Sequence, residues 1–167
     1  MVKLIEKSGD RTSDDQLFLK SLTALLEPSQ QHMLVRISTL ANTASLLASY
    51  LDRINWVGFY VRSNIDGEDL LLLGPFWGNP ACTRIPVGKG VCGRCCIAKE
   101  TQLVEDVTKF SGHITCDTAS KSELVVPIFV ADEVVGVLDI DSPHTSRFSK
   151  EDVRFIEEVA RIIALHW

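Results

Sequence analysis

Long apolar runs are missing from this chain. Its most apolar later stretch, Leu124 to Ala131, falls far short of the roughly 20 residues that a membrane-spanning helix needs, and it contains Pro127. The N-terminal MVKLIEKSGDRTSDD offers only Leu4-Ile5 as an apolar run before Glu6 and Lys7, so it lacks the hydrophobic region of a signal peptide. Clusters of Lys and Arg are absent as well, and the net charge is −5. Phosphate binding calls for such clusters, which excludes nucleic acid as a partner class. Cysteine is absent everywhere except between Cys82 and Cys116. There is no internal repeat, low-complexity tract or sign of a second domain. The expectation is a cytoplasmic protein with no membrane partner, folded as one domain over residues 1–167.

What is present is ordinary globular composition, 46% apolar and 23% charged. A chain of this length buries roughly 70% of its unfolded surface around one core and needs no disulfide to fold. Residues 14–27 place Phe18, Leu22, Leu25 and Leu26 at helical spacing, with Ser13 and Gln16 as a capping box and Pro28 as the stop. A second amphipathic pattern runs from about Gln30 to Leu51, headed by a solvated His32. The period then changes to two. Residues 55–61 alternate, sending Trp56, Gly58 and Tyr60 to one face, and Asn64 to Gly67 supplies a turn into a returning strand over 69–73. By itself the aromatic pair reads as core packing, although Gly58 between them leaves a hollow.

Gly74 to Pro80 reads as a loop rich in breakers, and Ala81 to Pro86 as a short strand carrying Cys82. The glycine turn Val87 to Gly90 leads into a helix through Ala98, where unpaired backbone donors can face an anion. Its spacing matches neither a P-loop nor a dinucleotide fingerprint. Leu103 to Val107 reads as a strand, then a polar loop holds His113 and Cys116. A hairpin around Ala131-Asp132-Glu133 follows, ending with Asp139 and Asp141 on one face. Ser149 caps a last helix. Two helices fall at about 14–51, the sheet with its loops at about 54–141, and the closing helix at about 149–166. Hairpin links imply an α+β fold, an α/β/α sandwich with a central antiparallel sheet covered by helices.

The cysteines admit three chemistries. Cys92-x2-Cys95 with His113-x2-Cys116 has near-zinc spacing, but Cys82 is left unexplained and the core needs no metal. Cys92-Gly93-Arg94-Cys95 has the form of a thioredoxin-like motif, yet it lacks the βαβ context. The third chemistry needs only proximity: a thiolate that reduces an oxidised substrate and then closes a disulfide with a neighbour. His113 lies three residues from Cys116 and can favour its thiolate.

The runs GPFWGNPACTRIPVGKGVCG, VEDVTKFSGHITCDTASKSELVVPI and GVLDIDSP, with NWVGFY before them, resemble the free methionine-(R)-sulfoxide reductases, a stand-alone branch of the GAF domain family. The similarity spans nearly the whole chain. It implies an enzyme that reduces free L-methionine-(R)-S-oxide. Cys116 would attack the sulfur and become a sulfenic acid, Cys82 would resolve it as a disulfide, and Cys92 would be a third redox-active or auxiliary thiol. Glu123 would protonate the departing oxygen, Asp139 and Asp141 would hold the ammonium, and Trp56 and Tyr60 would wall the methyl end. No bound cofactor or metal is implied; the reductant would be external thioredoxin, and the chain would form a homodimer through its N-terminal helices. Cys95 and Cys96 depart from the family pattern and read either as inert buried thiols or as extra partners that shuttle the disulfide. The competing functions are a non-catalytic GAF sensor of a small ligand or of redox state, and a zinc domain using Cys92, Cys95, His113 and Cys116.

Overall fold

The computed structural model describes residues 5–26, 32–114 and 117–167. Helices α1 (Arg11–Leu25) and α2 (Met33–Tyr50) precede strands β1 (Trp56–Ile65), β2 (Glu68–Gly78) and β3 (Arg84–Pro86). Helix α3 (Gly90–Ala98), β4 (Gln102–Val104), a 3-10 turn at Val107–Lys109, β5 (Ser122–Val130), β6 (Glu133–Ser142) and α4 (Lys150–Ala164) complete the order. The strands form a six-stranded sheet in the order β3-β2-β1-β6-β5-β4, antiparallel at every pairing. Among the described residues no helix is long and apolar enough to cross a membrane.

Two-residue periodicity decides which side chain goes where. Val57 and Phe59 of β1, Leu124, Val126 and Ile128 of β5, and Leu138 and Ile140 of β6 join Phe18, Leu22, Leu40, Leu47, Phe155 and Ile156 in one core. This side of the sheet carries α1, α2 and α4. Phe18, Tyr50 and Phe155, one ring from each helix, meet with centroids 4.9 to 5.4 Å apart. Each such buried side chain stabilises the fold by about 1.5–3 kcal/mol. The alternate residues Trp56, Tyr60, Val125 and Val137 pack on the opposite side with Val91, Cys92, Cys95 and Cys96 of α3. The site therefore lies under the thinner layer, where one short helix covers the sheet.

Both long hairpins close through residues with positive φ. Asp66 and Gly67 link β1 to β2, and Ala131 and Asp132 link β5 to β6, the backbone that suits the strand twist in two-residue loops. Helix α4 is closed by a capping box in which Ser149 accepts from the N–H groups of Glu151 and Asp152 while Asp152 accepts from Ser149.

Several local expectations change. Asp10, not Ser13, caps α1; its carboxylate accepts from both the Ser13 N–H and the Ser13 hydroxyl. Pro28 lies outside the described residues. His32 is exposed, as read, but also caps α2 by accepting from Leu34 N–H. Residues 74–78, read as loop, continue β2 as far as Gly78. Between the Gly58–Phe76 and Tyr60–Leu73 pairs, Gly74 and Pro75 both oppose Phe59, and this bulge absorbs the two breakers without ending the strand. Cys82 precedes β3 instead of lying on it, and β4 stops at Val104.

Candidate active site

Residues 139 and 141 of β6 point to the α3 side because their neighbours Leu138 and Ile140 belong to the opposite core. Across the ladder Asp141 pairs with Trp56 of β1 and Glu123 of β5, while Asp139 pairs with Gly58 and Val125. Register alone thus gathers three carboxylates, Glu123, Asp139 and Asp141, beside an indole. Trp56, Tyr60, Cys92, His113, Glu123, Asp139 and Asp141 line one pocket, with Asp117 and Ser120 at its edge. Glu123 and Asp141 are directly opposed like charges, which repel, and water does little to screen the cluster, since Glu123 and Asp139 are each 6% exposed.

Burial pushes the Glu123 carboxyl up to about 7, with His113 opposing the rise and Asp141 adding to it. His113 Nε2 lies 3.6 Å from Glu123 Oε2, so the histidine faces this acid. Asp139 is raised well above the usual carboxylate range, first by burial and then by Glu123. Asp141 is raised by burial and by Asp139 and Asp117, against a hydrogen bond from Ser120. Desolvation disfavours every charged form here, so the pocket stores protons or calls for a cation.

Helix α3 lowers Cys92 onto this acidic patch. Its Sγ lies 3.3 Å from Asp139 Oδ2 and 4.0 Å from Glu123 Oε1. Burial, then Asp139 and Glu123, raise its pKa well above the ordinary thiol value, so in this arrangement Cys92 is a thiol and a hydrogen-bond donor. The helix gets close because the turn before it is tight. Gly88 N–H donates to Gly93 O and Lys89 N–H to Pro86 O. A Cβ on Gly93 would stand 2.7 Å from Pro86 O and 2.8 Å from Gly88 N.

Trp56 and Tyr60 fix the outer wall. Trp56 Nε1 donates to Asn79 O at 3.1 Å and Tyr60 Oη to Cys82 O at 3.1 Å, tying the segment before β3 over the pocket. No hollow survives at Gly58. The indole fills it, stacked between Phe76 and Tyr60, and a Cβ on Gly58 would meet Trp56 Cη2 at 2.5 Å.

Cys82 is held in a disulfide, whereas Cys92, Cys95 and Cys96 are free and buried. Cys116 lies outside the described residues. Cys95 Sγ is 3.7 Å from Val125 O, and burial raises its pKa and that of Cys96. Cys95 therefore packs against β5, away from the group that could hold a metal ion, Cys92 with Glu123 and Asp139. Of the zinc set read along the chain, Cys95 is turned to a strand carbonyl and Cys116 lies outside the described residues.

Asn55, Asp117 and Ser120 were not singled out from the sequence. Asn55 Nδ2 donates to Asp117 Oδ2 at 3.2 Å and Ser120 Oγ at 3.1 Å, and Asn79 Nδ2 donates to Asp117 Oδ2 at 3.3 Å. This clasp joins the start of β1 to the segment before β5. Asn and Asp in polar stretches read as turn chemistry, so nothing in the sequence distinguished them.

The model of the GAF domain matches residues 31–167, so the chain belongs to the GAF domain family. The chain is 44% identical over 163 residues to Protein YtsP of Bacillus subtilis (strain 168), covering 98% of this chain and 96% of that protein. It is 49% identical over 123 residues to the free methionine-R-sulfoxide reductase of Escherichia coli (strain K12), covering 74% and 72%. An X-ray structure of free methionine-R-sulfoxide reductase from Neisseria meningitidis in complex with its substrate superposes with a TM-score of 0.87. That match has 36% identity and covers 98% of this chain and 94% of that one. Within the GAF family, the chain belongs to the free methionine-(R)-sulfoxide reductases.

Proposed function

We propose that the protein reduces free L-methionine-(R)-sulfoxide to L-methionine through cysteine sulfenic acid chemistry. The Cys116 thiolate attacks the sulfoxide sulfur. The S–O bond breaks, the oxygen takes up a proton from Glu123 and ends on Cys116 as a sulfenic acid, and methionine leaves with the sulfur lone pair restored. The Cys82 thiol then attacks the sulfenic sulfur, water leaves, and a disulfide remains. External thioredoxin supplies two electrons and two protons to regenerate both thiols.

The observation that carries this reading is Glu123, a buried acid with a pKa of about 7 inside an aromatic-walled pocket. An acid poised near the working pH can hold a proton for a leaving oxygen and release it in the transition state. Asp139 and Asp141 take the ammonium, whose positive charge relieves the repulsion among the three carboxylates. Trp56 and Tyr60 flank the methyl end. Cys92 donates to Asp139 and acts as an auxiliary thiol. The disulfide at Cys82 supports its resolving role, and the exposed Met33, Leu34 and Ile37 on α2 support a homodimer.

The test is turnover. Fully reduced protein supplied with a dithiol is expected to convert the R epimer of free methionine sulfoxide to methionine and to leave the S epimer untouched, and Cys116→Ser is expected to stop the reaction. No turnover of either epimer by folded, reduced protein would overturn the proposal.

A further inference from the structure

The reaction above gives Cys92 little to do, yet this thiol sits at the centre of the acidic patch. Cys92 Sγ, one oxygen of Glu123 and one of Asp139 all lie within 4.8 Å of one another. All three residues are at least nine-tenths buried. Asp139 Oδ1 is buried with no hydrogen-bond partner among the described residues. An orphaned carboxylate oxygen at this depth loses its hydration without compensation, a costly state that a bound ligand would end. The cluster and the orphaned oxygen are independent observations, and both point to a missing cation.

We propose that Cys92, Glu123 and Asp139 form a binding site for a thiophilic divalent cation of the zinc class, which occupies the pocket in competition with the substrate ammonium. A tetrahedral ion with metal–sulfur and metal–oxygen bonds of ordinary length requires S to O edges of about 3.6 Å. The Cys92 Sγ separations of 3.3 Å from Asp139 and 4.0 Å from Glu123 bracket that value, so small side-chain rotations complete the shell. Thiolate and two carboxylates carry three negative charges against two positive ones. Sulfur selects zinc-like ions over magnesium or calcium. Binding releases the Cys92 thiol proton to solvent, together with any proton on Glu123 or Asp139.

Cobalt(II) provides the readout, because a thiolate ligand gives it a near-ultraviolet charge-transfer band. Protein with Cys82 kept in its disulfide is titrated with cobalt, so that Cys82 offers no thiolate. The expected result is a saturable band that Cys92→Ser abolishes, that Cys95→Ser leaves intact, and whose half-saturation Asp139→Asn shifts by at least about 10-fold. Circular dichroism checks that each variant is folded. Absence of the band in wild type, or its survival in folded Cys92→Ser, overturns the proposal. If Cys92→Ser does not fold, unchanged cobalt affinity in Asp139→Asn overturns it instead.

Competition rests on the substrate-binding reading given above, and has its own measurement. Excess free methionine is expected to displace cobalt; a band indifferent to methionine removes the competition. The band itself does not depend on turnover, so failure of the reductase assay and failure of the metal site remain distinguishable.

Discussion

Replacing Glu123 with glutamine tests whether the fold, rather than the substrate, keeps this acid protonated. The carboxyl has an ordinary pKa of 4.5 and is pushed up to about 7 in the folded protein, chiefly by burial. The unfolded chain therefore loses this proton near pH 4.5 while the folded chain holds it until about pH 7. Between those values the native state binds more protons than the unfolded state, so stability falls as pH rises through this window and levels off above it. At 1.36 kcal/mol per pKa unit, the full penalty is about 3 kcal/mol. Glutamine keeps the shape and carries no charge, and it also removes the contribution that Glu123 makes to raising Asp139. Urea unfolding of the oxidised protein at several pH values is expected to show Glu123→Gln matching wild type near pH 4.5 and exceeding it by about 3 kcal/mol at pH 8. Turnover is expected to move the other way, with kcat/KM down by about 10²–10⁴-fold and the wild-type decline above pH 7 lost. A stability difference that stays constant from pH 4.5 to 8 would refute the reasoning, since it would mean that folding leaves the acid's proton affinity unchanged.

Two further substitutions probe how the pocket is held. Gly58→Ala puts a methyl group 2.4 Å from Phe76 Cβ and 2.5 Å from Trp56 Cη2. Overpacking of this kind costs about 1–3 kcal/mol, and the displaced indole is expected to raise KM more than it lowers kcat; unchanged KM would show that the Trp56 wall is not part of the substrate site. Asp152→Ala removes the carboxylate that caps α4 and receives Arg11 and Arg147 at 3.0 and 3.1 Å. Arg147 is itself buried, so the loss is expected to be about 3 kcal/mol by denaturant unfolding. Asp152 has a pKa held below its ordinary value by the Ser149 N–H and the two arginines, against burial. Its stabilising contribution is thus present at neutral pH and lost as pH falls through the folded value, and the Asp152→Ala deficit should shrink under acid.

Secondary structure was largely legible along the chain because it depends on local periodicity. The alternation at residues 56–60 and 137–141 states which side chains share a face, and the helical repeat from Val153 to Ile163 states which face of the last helix is buried. The misread at residues 74–78 came from treating Gly74 and Pro75 as terminators. Only the opposing strand, with Phe59 placed against both, turns them into a bulge. Ser13 lost the capping role to Asp10 for a related reason, since either side chain can cap and the path of the preceding residues decides which one does.

By itself the sequence determined that residues 139 and 141 share a face, that the cysteines cluster, and that the chain resembles one reductase family. Those features are carried by spacing and by residue identity, which survive without coordinates. Tertiary structure alone decided that Glu123 stands opposite Asp141, that His113 faces Glu123, and that Cys92 donates to Asp139 while Cys95 turns to a strand carbonyl. Each of these depends on strand register or on the roll of a short helix over the sheet. The energies involved arise from burial and from charges brought within a few ångströms, and neither exists until the strands have paired.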